Sequence, residues 1–384
     1  MISRRAENTS SFIVMDILER AHELEKEGHH VIHLEVGEPD FPTPQPIVQA
    51  AIDALQMGKT SYTHSMGLSE LRLAIAGHYE SKYQLKISPD QVLVCSGTSP
   101  AMLLAFQTML EDDQEFIIAN PYYSCYPNFI RGAGGKAVTV DITEDDGFDY
   151  NIDRVKKAIT NKTRGILVNS PANPTGVVST KEKLEAIAGL GLPYILSDEI
   201  YHGLTYSDKN PEHSILEFTD RAIVVNGFSK LYAMTGWRLG YLIAPPDIIR
   251  AIQRLQQNYF ISANNFVQWA GITALTGLSD ELTVMRETYN KRRQYMISRL
   301  RELGFTIKVE PEGAFYVFAN ARAFTDDSKS FAFRLLEEEH IGVTPGIDFG
   351  SGGEGYIRFS YANSLSNIEE ALNRLEGFLK KIRR

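Results

Sequence analysis

Residues 224–243 read VVNGFSKLYAMTGWRLGYLI, and from this stretch we predict both an architecture and a chemistry. An apolar run ends at Asn226, turn-forming residues lead to Lys230, and Arg238 stands before a second apolar run. A lysine just past a buried strand loses part of its hydration, which favours the neutral amine that can attack a carbonyl group. An arginine offers a rigid fork of donors that suits a phosphate or a carboxylate. Either residue alone is more often an ordinary surface charge, so the prediction depends on the order of the whole segment.

The composition is that of a globular protein. The 384 residues are 43% hydrophobic and 23% charged, with a formal net charge of −9, and the length suffices for one large domain with a smaller one attached. The negative charge argues against nucleic acid or an anionic membrane as the partner. Two cysteines, Cys95 and Cys125, stand without ligand spacing, which argues against a disulfide framework and a metal site. The lack of a signal-peptide pattern or a long apolar run predicts a cytoplasmic location.

Short apolar runs predict a mostly parallel β-sheet. They alternate with helix-like segments, which is typical of a sheet covered by helices on both faces. Ligands bind outside the carboxyl ends of the strands in such sheets, and the residues best suited to chemistry directly follow these runs. The runs are 92–94, 116–119, 137–140, 165–168, 194–196, 222–225 and 239–243.

Both ends of the chain predict a second, smaller α/β domain. The apolar residues of 10–27 recur at helical spacing, and 31–36 reads as a strand before the proline-rich loop GEPDFPTPQP. A long helix over 279–301 would join the large domain to C-terminal strands and helices. The final helix is predicted to begin with Ser366 and Glu369 as a capping box. The predicted ranges are 1–44 for the N-terminal part of the small domain and its linker, 45–278 for the large domain, and 279–384 for the linking helix and the C-terminal part of the small domain.

Further motifs occur along the chain beside the SKLYAMTGWRLG segment. They are GEPDF at 37–41, SGT at 96–98, NSPANPTG at 169–176, DEIY at 198–201 and YIRFS at 356–360. In kind and order they resemble the motifs of the class I and II aminotransferases of fold type I, and of aspartate aminotransferases in particular. These enzymes use pyridoxal 5′-phosphate. The resemblance covers nearly the whole chain and implies an α/β fold: a large domain with a mostly parallel seven-stranded sheet covered by helices, plus a smaller α/β domain formed by both chain ends.

For the cofactor ring, the resemblance assigns a set of contacts. Lys230 would form the covalent bond to the cofactor, and Asp198 would contact its ring nitrogen. Tyr201 and Asn173 would contact the phenolic oxygen, and Tyr123 would stack on the ring. A carboxylate beside the ring nitrogen raises the pKa of that nitrogen and keeps the ring able to accept electrons. From the residues alone, the neighbouring Tyr122 and Tyr126 compete with Tyr123 for the stacking position.

The loop 96–98 precedes a predicted helix, and backbone N–H groups at a helix start favour an anion. Alone, a plain helix cap is the commoner explanation. The resemblance assigns the cofactor phosphate to Ser96, Gly97, Thr98 and Arg238. Ser229 is a weaker candidate, because many relatives carry a serine at the position of Gly227 instead. Tyr62 would contact the phosphate of a partner subunit, so the resemblance also implies a homodimer with shared active sites.

Arg358 is predicted to lie inside a strand, where an inward guanidinium needs an anion. The resemblance assigns Arg358 to the substrate α-carboxylate, with Gly37 and Asn173 beside it. The implied activity moves an amino group between an L-amino acid and a 2-oxo acid, with 2-oxoglutarate as acceptor, in amino acid metabolism. Two alternatives share the fold: a pyridoxal-phosphate-dependent lyase, and a ligand-sensing regulator domain, which would need an added DNA-binding module. The amino donor stays open between aspartate, glutamate, alanine and aromatic amino acids, because no second cation can be assigned to a distal carboxylate.

Overall fold

The computed structural model of the protein describes residues 2–7, 9–207 and 209–382. Within these ranges the α-helices are α1 (Arg4–Glu7), α2 (Ile13–Lys26), α3 (Gln45–Gln56), α4 (Ser69–Tyr83), α5 (Thr98–Met109), α6 (Tyr126–Gly132), α7 (Ile152–Ala158), α8 (Lys181–Ala188), α9 (Pro246–Tyr259), α10 (Asn265–Thr276), α11 (Ser279–Leu303), α12 (Ser328–Glu339) and α13 (Leu365–Ile382). The β-strands are β1 (Ile32–His33), β2 (Val92–Cys95), β3 (Glu115–Asn120), β4 (Lys136–Asp141), β5 (Thr163–Asn169), β6 (Tyr194–Asp198), β7 (Ala222–Gly227), β8 (Gly240–Ile243), β9 (Tyr316–Asn320), β10 (Ile341–Gly342), β11 (Thr344–Pro345) and β12 (Tyr356–Ser360).

The large sheet has seven strands, as predicted, and their order is β2-β8-β7-β6-β5-β3-β4. Strand β8 runs antiparallel to both of its neighbours, while the other pairs are parallel. Successive residues of a strand point to opposite faces. On β2, Val92 and Val94 accordingly pack with α3, α4 and α10 on one face, while Leu93 and Cys95 pack with α5, α6 and α9 on the other. The sheet is therefore buried on both sides.

The antiparallel direction of β8 brings two segments of the chain to one edge of the sheet. Gly240, the first residue of β8, pairs with Cys95 at the end of β2 and with Gly227 at the end of β7. Residues that follow β7 and residues that precede β8 are therefore neighbours. This arrangement places the predicted Lys230 and Arg238 at the same edge as the end of β6.

The two ends of the chain form the smaller α/β part, which also agrees with the prediction. Strand β1 pairs in parallel with β10, and β11, β12 and β9 form an antiparallel sheet. One hydrophobic core joins α2 near the N-terminus to α11, α12 and α13. The domain boundaries at 44/45 and 278/279 stay a prediction, although α11 begins at Ser279.

Two local predictions were wrong. Strand β1 covers two residues rather than 31–36, because the Glu35 carbonyl accepts side-chain donors from Arg358 and Thr344 instead of extending the ladder. Helix α13 is capped by Ser364, whose hydroxyl oxygen accepts from the Asn367 N–H at 3.1 Å. The predicted capping residue Ser366 therefore lies inside the first turn of the helix.

Two negative findings hold for the described part of the chain. No helix there is long and apolar enough to span a membrane. No three or more His, Cys, Asp or Glu side chains in the same ranges gather into a group that could hold a metal ion.

Candidate active site

A cavity of about 340 Å³ lies at the carboxyl edge of the large sheet and is closed on its far side by the smaller part. Most of the predicted site residues meet in its wall, although they come from distant parts of the chain. The predicted residues that line it are Gly37, Thr98, Tyr123, Asn173, Asp198, Tyr201, Ser229, Lys230, Arg238 and Arg358. Ser96 and Gly97 are not among its lining residues, although Gly97 adjoins Arg238, and Tyr62 lies elsewhere on the surface with 80% of its area exposed.

Lys230 follows β7 and points its amine into the cavity. The amine donates a hydrogen bond to the Gly37 carbonyl oxygen at 2.5 Å. Burial lowers the pKa of Lys230 to about 8, with Glu38 opposing this change and the positive charges of Arg358 and Arg238 adding to it. A substantial fraction of the amine is therefore neutral near physiological pH, which is the form that attacks a carbonyl group or accepts a proton.

Asp198 ends β6 and is 6% exposed. Its carboxylate accepts from the Tyr126 hydroxyl at 2.7 Å and from the Ile200 N–H at 3.3 Å. Burial raises the pKa of Asp198 to about 6, while these two hydrogen bonds and the Lys230 charge oppose the rise. A buried acid of this kind favours a partner that brings an N–H donor and positive charge.

The three neighbouring tyrosines have separate positions. Tyr123 lines the cavity and meets Tyr126 edge to face, with ring centroids 5.3 Å apart. Tyr126 is occupied by its hydrogen bond to Asp198, a contact that the sequence analysis did not assign. Tyr122 packs against Gly350 outside the cavity, where an added Cβ would lie 2.7 Å from its ring. Tyr126 also lines the cavity, but its hydroxyl is held by Asp198, which leaves Tyr123 as the better candidate for stacking on a bound ring.

An anion cradle forms where β2 and β7 end and β8 begins. Gly97 has φ of 103° and approaches Arg238 so closely that an added Cβ would lie 2.6 Å from Nη2. Arg238 itself has φ of 55° and donates to the Thr235 carbonyl oxygen at 3.0 Å. The first turn of α5 places Thr98 and Ser99 in the cavity wall. Helix-start N–H groups, hydroxyls and a guanidinium together suit a phosphate dianion.

Two details of this cradle differ from the sequence analysis. Ser96, which was assigned to the phosphate, does not line the cavity, whereas the unassigned Ser99 does. The helix begins at Thr98, and its first turn therefore carries residue 99 to the cavity side. Ser229, the weaker candidate, is buried and lines the cavity.

Arg358 on β12 is 3% exposed and is held by acceptors from three segments. Its Nη1 donates to the Asn173 amide oxygen at 2.8 Å. Its Nη2 donates to the Glu35 carbonyl oxygen at 2.5 Å and to the Thr344 hydroxyl oxygen at 3.0 Å. The buried Nε has no hydrogen-bond partner among the described residues. An unpaired buried donor of a charged group is costly, and an incoming carboxylate would satisfy it.

Tyr316 is a cavity residue that the sequence analysis missed. Its hydroxyl lies 2.7 Å from the Tyr201 hydroxyl, and its ring lies under the Arg358 guanidinium at 4.3 Å. Tyr316 also restricts residue 37 to glycine, because a Cβ at Gly37 would collide with the Tyr316 hydroxyl. All five residues of β9 are buried or half-buried, so no alternating pattern marks Tyr316 as a site residue.

Beside polar residues such as Glu38, Asn169 and Thr235, the cavity has an apolar wall that comes largely from the start of α2. Its members are Phe12, Val14, Met15, Leu18, Met102 and Phe129. The start of α2 is fixed from the smaller part of the protein, where the Asp348 carboxylate accepts from the Ile13 and Val14 N–H groups at 2.9 and 3.4 Å. Among the described lining residues the cations are Lys230, Arg238 and Arg358.

Known proteins resemble this chain over its full length. Residues 29–375 match the family described as aminotransferase class I and II. A (5-formylfuran-3-yl)methyl phosphate transaminase of Methanocaldococcus jannaschii is 45% identical, over 99% of this chain and 100% of its own length. An aspartate aminotransferase of Bacillus subtilis is 39% identical, over 99% of both chains.

Solved structures agree. A Methanococcus jannaschii protein, described as similar in its active site to kynurenine aminotransferases, superposes with a TM-score of 0.92 at 45% identity, over 99% of this chain and 100% of that one. The Thermus thermophilus aspartate aminotransferase with maleate superposes with a TM-score of 0.94 at 36% identity, over 98% and 99%.

The residues present fit pyridoxal 5′-phosphate, the cofactor of this family. Asp198 is a buried acid whose raised pKa calls for an N–H partner, and Lys230 is a half-buried lysine whose lowered pKa favours reaction of its amine with an aldehyde. An added Cβ at residue 97 would fill the space beside Arg238. Because residue 97 is a glycine, this space stays open for a phosphate. The chain therefore belongs to the class I and II aminotransferases and is a pyridoxal-phosphate-dependent aminotransferase.

Proposed function

We propose that this aminotransferase moves an amino group from an L-amino acid to a 2-oxo acid, with 2-oxoglutarate as the acceptor. The observation that carries the proposal is Arg358, a buried guanidinium with an unpartnered Nε in the same cavity as the Lys230 amine. A substrate α-carboxylate would satisfy Arg358 and leave the α-carbon near Lys230. Both an amino acid and a 2-oxo acid carry this carboxylate next to the reacting carbon.

The cofactor, when bound, supplies an aldehyde and a ring that accepts electrons. In our proposal Lys230 holds it covalently, and Asp198 holds the proton on its ring nitrogen. Asn173 has its amide oxygen engaged by Arg358, so its NH₂ group is free to donate to the phenolic oxygen together with Tyr201. The residues proposed to complete the binding site are Tyr123 at the ring face and Ser96, Gly97, Thr98, Ser229 and Arg238 around the phosphate.

The proton that must leave the substrate's α-carbon is proposed to move through Lys230. Its pKa of about 8 lies close to neutral pH, and a general base is most effective when its pKa is near the pH at which it acts. The Gly37 carbonyl oxygen accepts a hydrogen bond from this amine and orients it. Removal of water from the cavity by the apolar wall of α2 would strengthen each of these contacts.

The same apolar wall favours an amino donor with an uncharged side chain. Phe12, Val14 and Met15 offer no partner for a distal carboxylate. The test is a panel of amino donors (alanine, aromatic, aspartate and glutamate), each followed in a half-reaction through the absorbance of the cofactor. We expect the aromatic and alanine reactions to exceed the aspartate reaction in kcat/KM. A preference for aspartate would overturn this choice of donor, and failure of 2-oxoglutarate to restore the starting spectrum would overturn the acceptor.

We further propose a cytoplasmic homodimer that acts in amino acid metabolism, with Tyr62 reaching the cofactor phosphate of the partner. Its 80% exposure within one chain supports this role. The test mixes Tyr62→Ala subunits with Lys230→Ala subunits. In a mixed dimer one of the two sites would have both wild-type residues. Random exchange of equal amounts makes about half of the dimers mixed, so about a quarter of the wild-type activity should be restored. No recovery in verified mixed dimers would contradict a shared site.

A second candidate acceptor is an aromatic aldehyde that carries a phosphate. The M. jannaschii relative at 45% identity is named for (5-formylfuran-3-yl)methyl phosphate. In this chain Arg358 could bind such a phosphate, while Phe12 and Met15 pack on the furan ring. Adding this aldehyde to the acceptor panel separates the two proposals, because a kcat/KM far above that of 2-oxoglutarate would favour it.

A further inference from the structure

Behind Arg358 lies a second pair of charged residues that the reaction does not use directly. His33 on β1 places Nδ1 2.6 Å from the Glu35 carboxylate, whose side chain is 0% exposed. The other oxygen of that carboxylate has no hydrogen-bond partner among the described residues. The carboxylate also packs on Gly342 of β10, where any added Cβ would collide with it. Glu35 is thus confined to one position by His33 and by the neighbouring strand.

The backbone of the same residue holds the substrate-binding arginine. The Glu35 carbonyl oxygen accepts from Arg358 Nη2 at 2.5 Å and from the Thr344 hydroxyl at 3.1 Å. Two residues further on, the Gly37 carbonyl accepts from the Lys230 amine. The segment 35–37 therefore contacts both Arg358 and Lys230, and its position depends on what fixes Glu35.

His33 is the charged partner of Glu35. The hydrogen bond with Glu35 raises the pKa of His33 to about 9, burial opposes the rise, and the Glu35 and Glu25 charges add to it. The other groups that face the imidazole are Glu25 of α2, 3.1 Å from Nε2, and the His22 ring at 5.8 Å. At neutral pH His33 is therefore protonated and forms an ion pair with a fully buried carboxylate. Such a pair is costly to break from one side only.

We propose that the His33–Glu35 pair positions the substrate-binding site, because by fixing Glu35 it holds the Glu35 carbonyl oxygen on Arg358 and orients the guanidinium for the substrate carboxylate. This inference rests on the proposed role of Arg358. His33 and Glu35 touch neither substrate nor cofactor and act through Arg358. Their loss should therefore weaken recognition of the carboxylate and leave reactions at the cofactor aldehyde intact.

Two small reagents separate these effects in the holoenzyme. Aminooxyacetate and O-methylhydroxylamine attack the cofactor with the same aminooxy group, and only aminooxyacetate carries a carboxylate. The ratio of their second-order rate constants measures carboxylate recognition, and effects on Lys230 or on the aldehyde cancel in it. We expect Glu35→Gln to lower this ratio about tenfold, as for the loss of one charge-assisted hydrogen bond. Glu25→Gln, which removes the exposed partner of the same imidazole, should leave the ratio unchanged.

Two variants of His33 keep the test decisive if Glu35→Gln does not fold. His33→Leu should lower the ratio, and His33→Asn should restore most of it, since an asparagine amide can donate to Glu35 from near the Nδ1 position. A binding readout is the thermal shift caused by 3-phenylpropionate, which should be smaller in His33→Leu than in Glu25→Gln.

Arg358→Gln distinguishes the failure of this inference from the failure of the proposed function. If Arg358→Gln lowers the ratio but Glu35→Gln and His33→Leu do not, the positioning role is wrong and the carboxylate site stands. If Arg358→Gln leaves the ratio unchanged, Arg358 does not bind the carboxylate, and the proposed function falls together with the inference.

Discussion

Two arginines face the same cavity and are held in opposite ways. Arg358 is 3% exposed, and three acceptors from distant segments fix its guanidinium. Arg238 is exposed, and its guanidinium donates to the nearby Thr235 carbonyl, although its backbone is fixed at φ of 55°. Orienting a binding group in advance lowers the cost of each association. The comparison suggests that Arg358 serves a ligand that exchanges in every turnover, whereas Arg238 serves one that stays bound.

The largest effect is expected at Lys230, whose pKa both arginines help to lower. Lys230→Ala removes the amine but leaves both anion sites, so catalysis should fall by about 10³-fold or more while cofactor and amino acid still bind. The measurements are the half-reaction rate and the visible absorbance of the covalently bound cofactor, which should be lost. Lys136→Ala, at a surface ion pair with Asp113, is the control and should behave as wild type. An unchanged spectrum in Lys230→Ala would refute the assignment.

The next effect is expected at Arg358. Arg358→Gln should raise KM for amino donors about 10- to 100-fold, because it removes a charge-assisted contact to the carboxylate. The affinity for the cofactor should stay the same. Arg358→Lys should lie in between, since an ammonium cannot offer the same fork of donors. Steady-state kinetics at saturating cofactor measure this effect. Weakened cofactor binding without a change in KM would mean that Arg358 binds the cofactor and not the substrate carboxylate.

Arg238→Gln should give the opposite pattern. We expect the dissociation constant of the cofactor to rise about tenfold, since one of several phosphate contacts is lost. At saturating cofactor, KM for amino donors should remain within about twofold of wild type. Equilibrium dialysis of the cofactor measures the first quantity. If KM for amino donors changes instead, Arg238 binds the substrate carboxylate and not the cofactor phosphate, contrary to the proposal.

An effect of similar size is expected from pH, and it tests the amine that both arginines influence. Burial lowers the pKa of Lys230 to about 8, so the neutral amine increases as the pH rises through that value. The rate at which cofactor-free protein takes up pyridoxal phosphate covalently should therefore rise about tenfold from pH 7 to pH 9. Stopped-flow absorbance measures the rate. An inflection near the pKa of an ordinary lysine would mean that the amine is hydrated.

Much of the fold could be predicted because its elements carry local signals. The strands of the large sheet are continuous apolar runs, and the structure extends most of them by only one or two residues. The capping of α13 was misplaced because Ser364 and Ser366 stand two residues apart, and only the helix start decides between them. Strand β1 was predicted too long because nothing local reveals that the Glu35 carbonyl turns to a side chain from residue 358.

The site residues also fall into two groups: those that a local motif marks and those that matter only through contacts between distant segments. Residues inside motifs, such as Lys230 and Asp198, could be singled out from the sequence alone, and they lie in one cavity. Tyr316 and Thr344 were missed because their importance comes from contacts with Arg358 across strands, which leave no mark in sequence spacing. Tyr126 was considered only as a stacking ring, and its bond to Asp198 depends on how β6 and α6 meet.

The start of α2 has a practical consequence for engineering. The helix and the residue just before it supply Phe12, Val14, Met15 and Leu18 to the cavity, and none of these side chains belongs to the anion cradle. Asp348 anchors the helix through backbone N–H groups, so the anchor does not depend on which side chains the helix carries. A combinatorial library confined to these four positions would therefore vary the choice of amino donor while sparing the machinery that holds the cofactor.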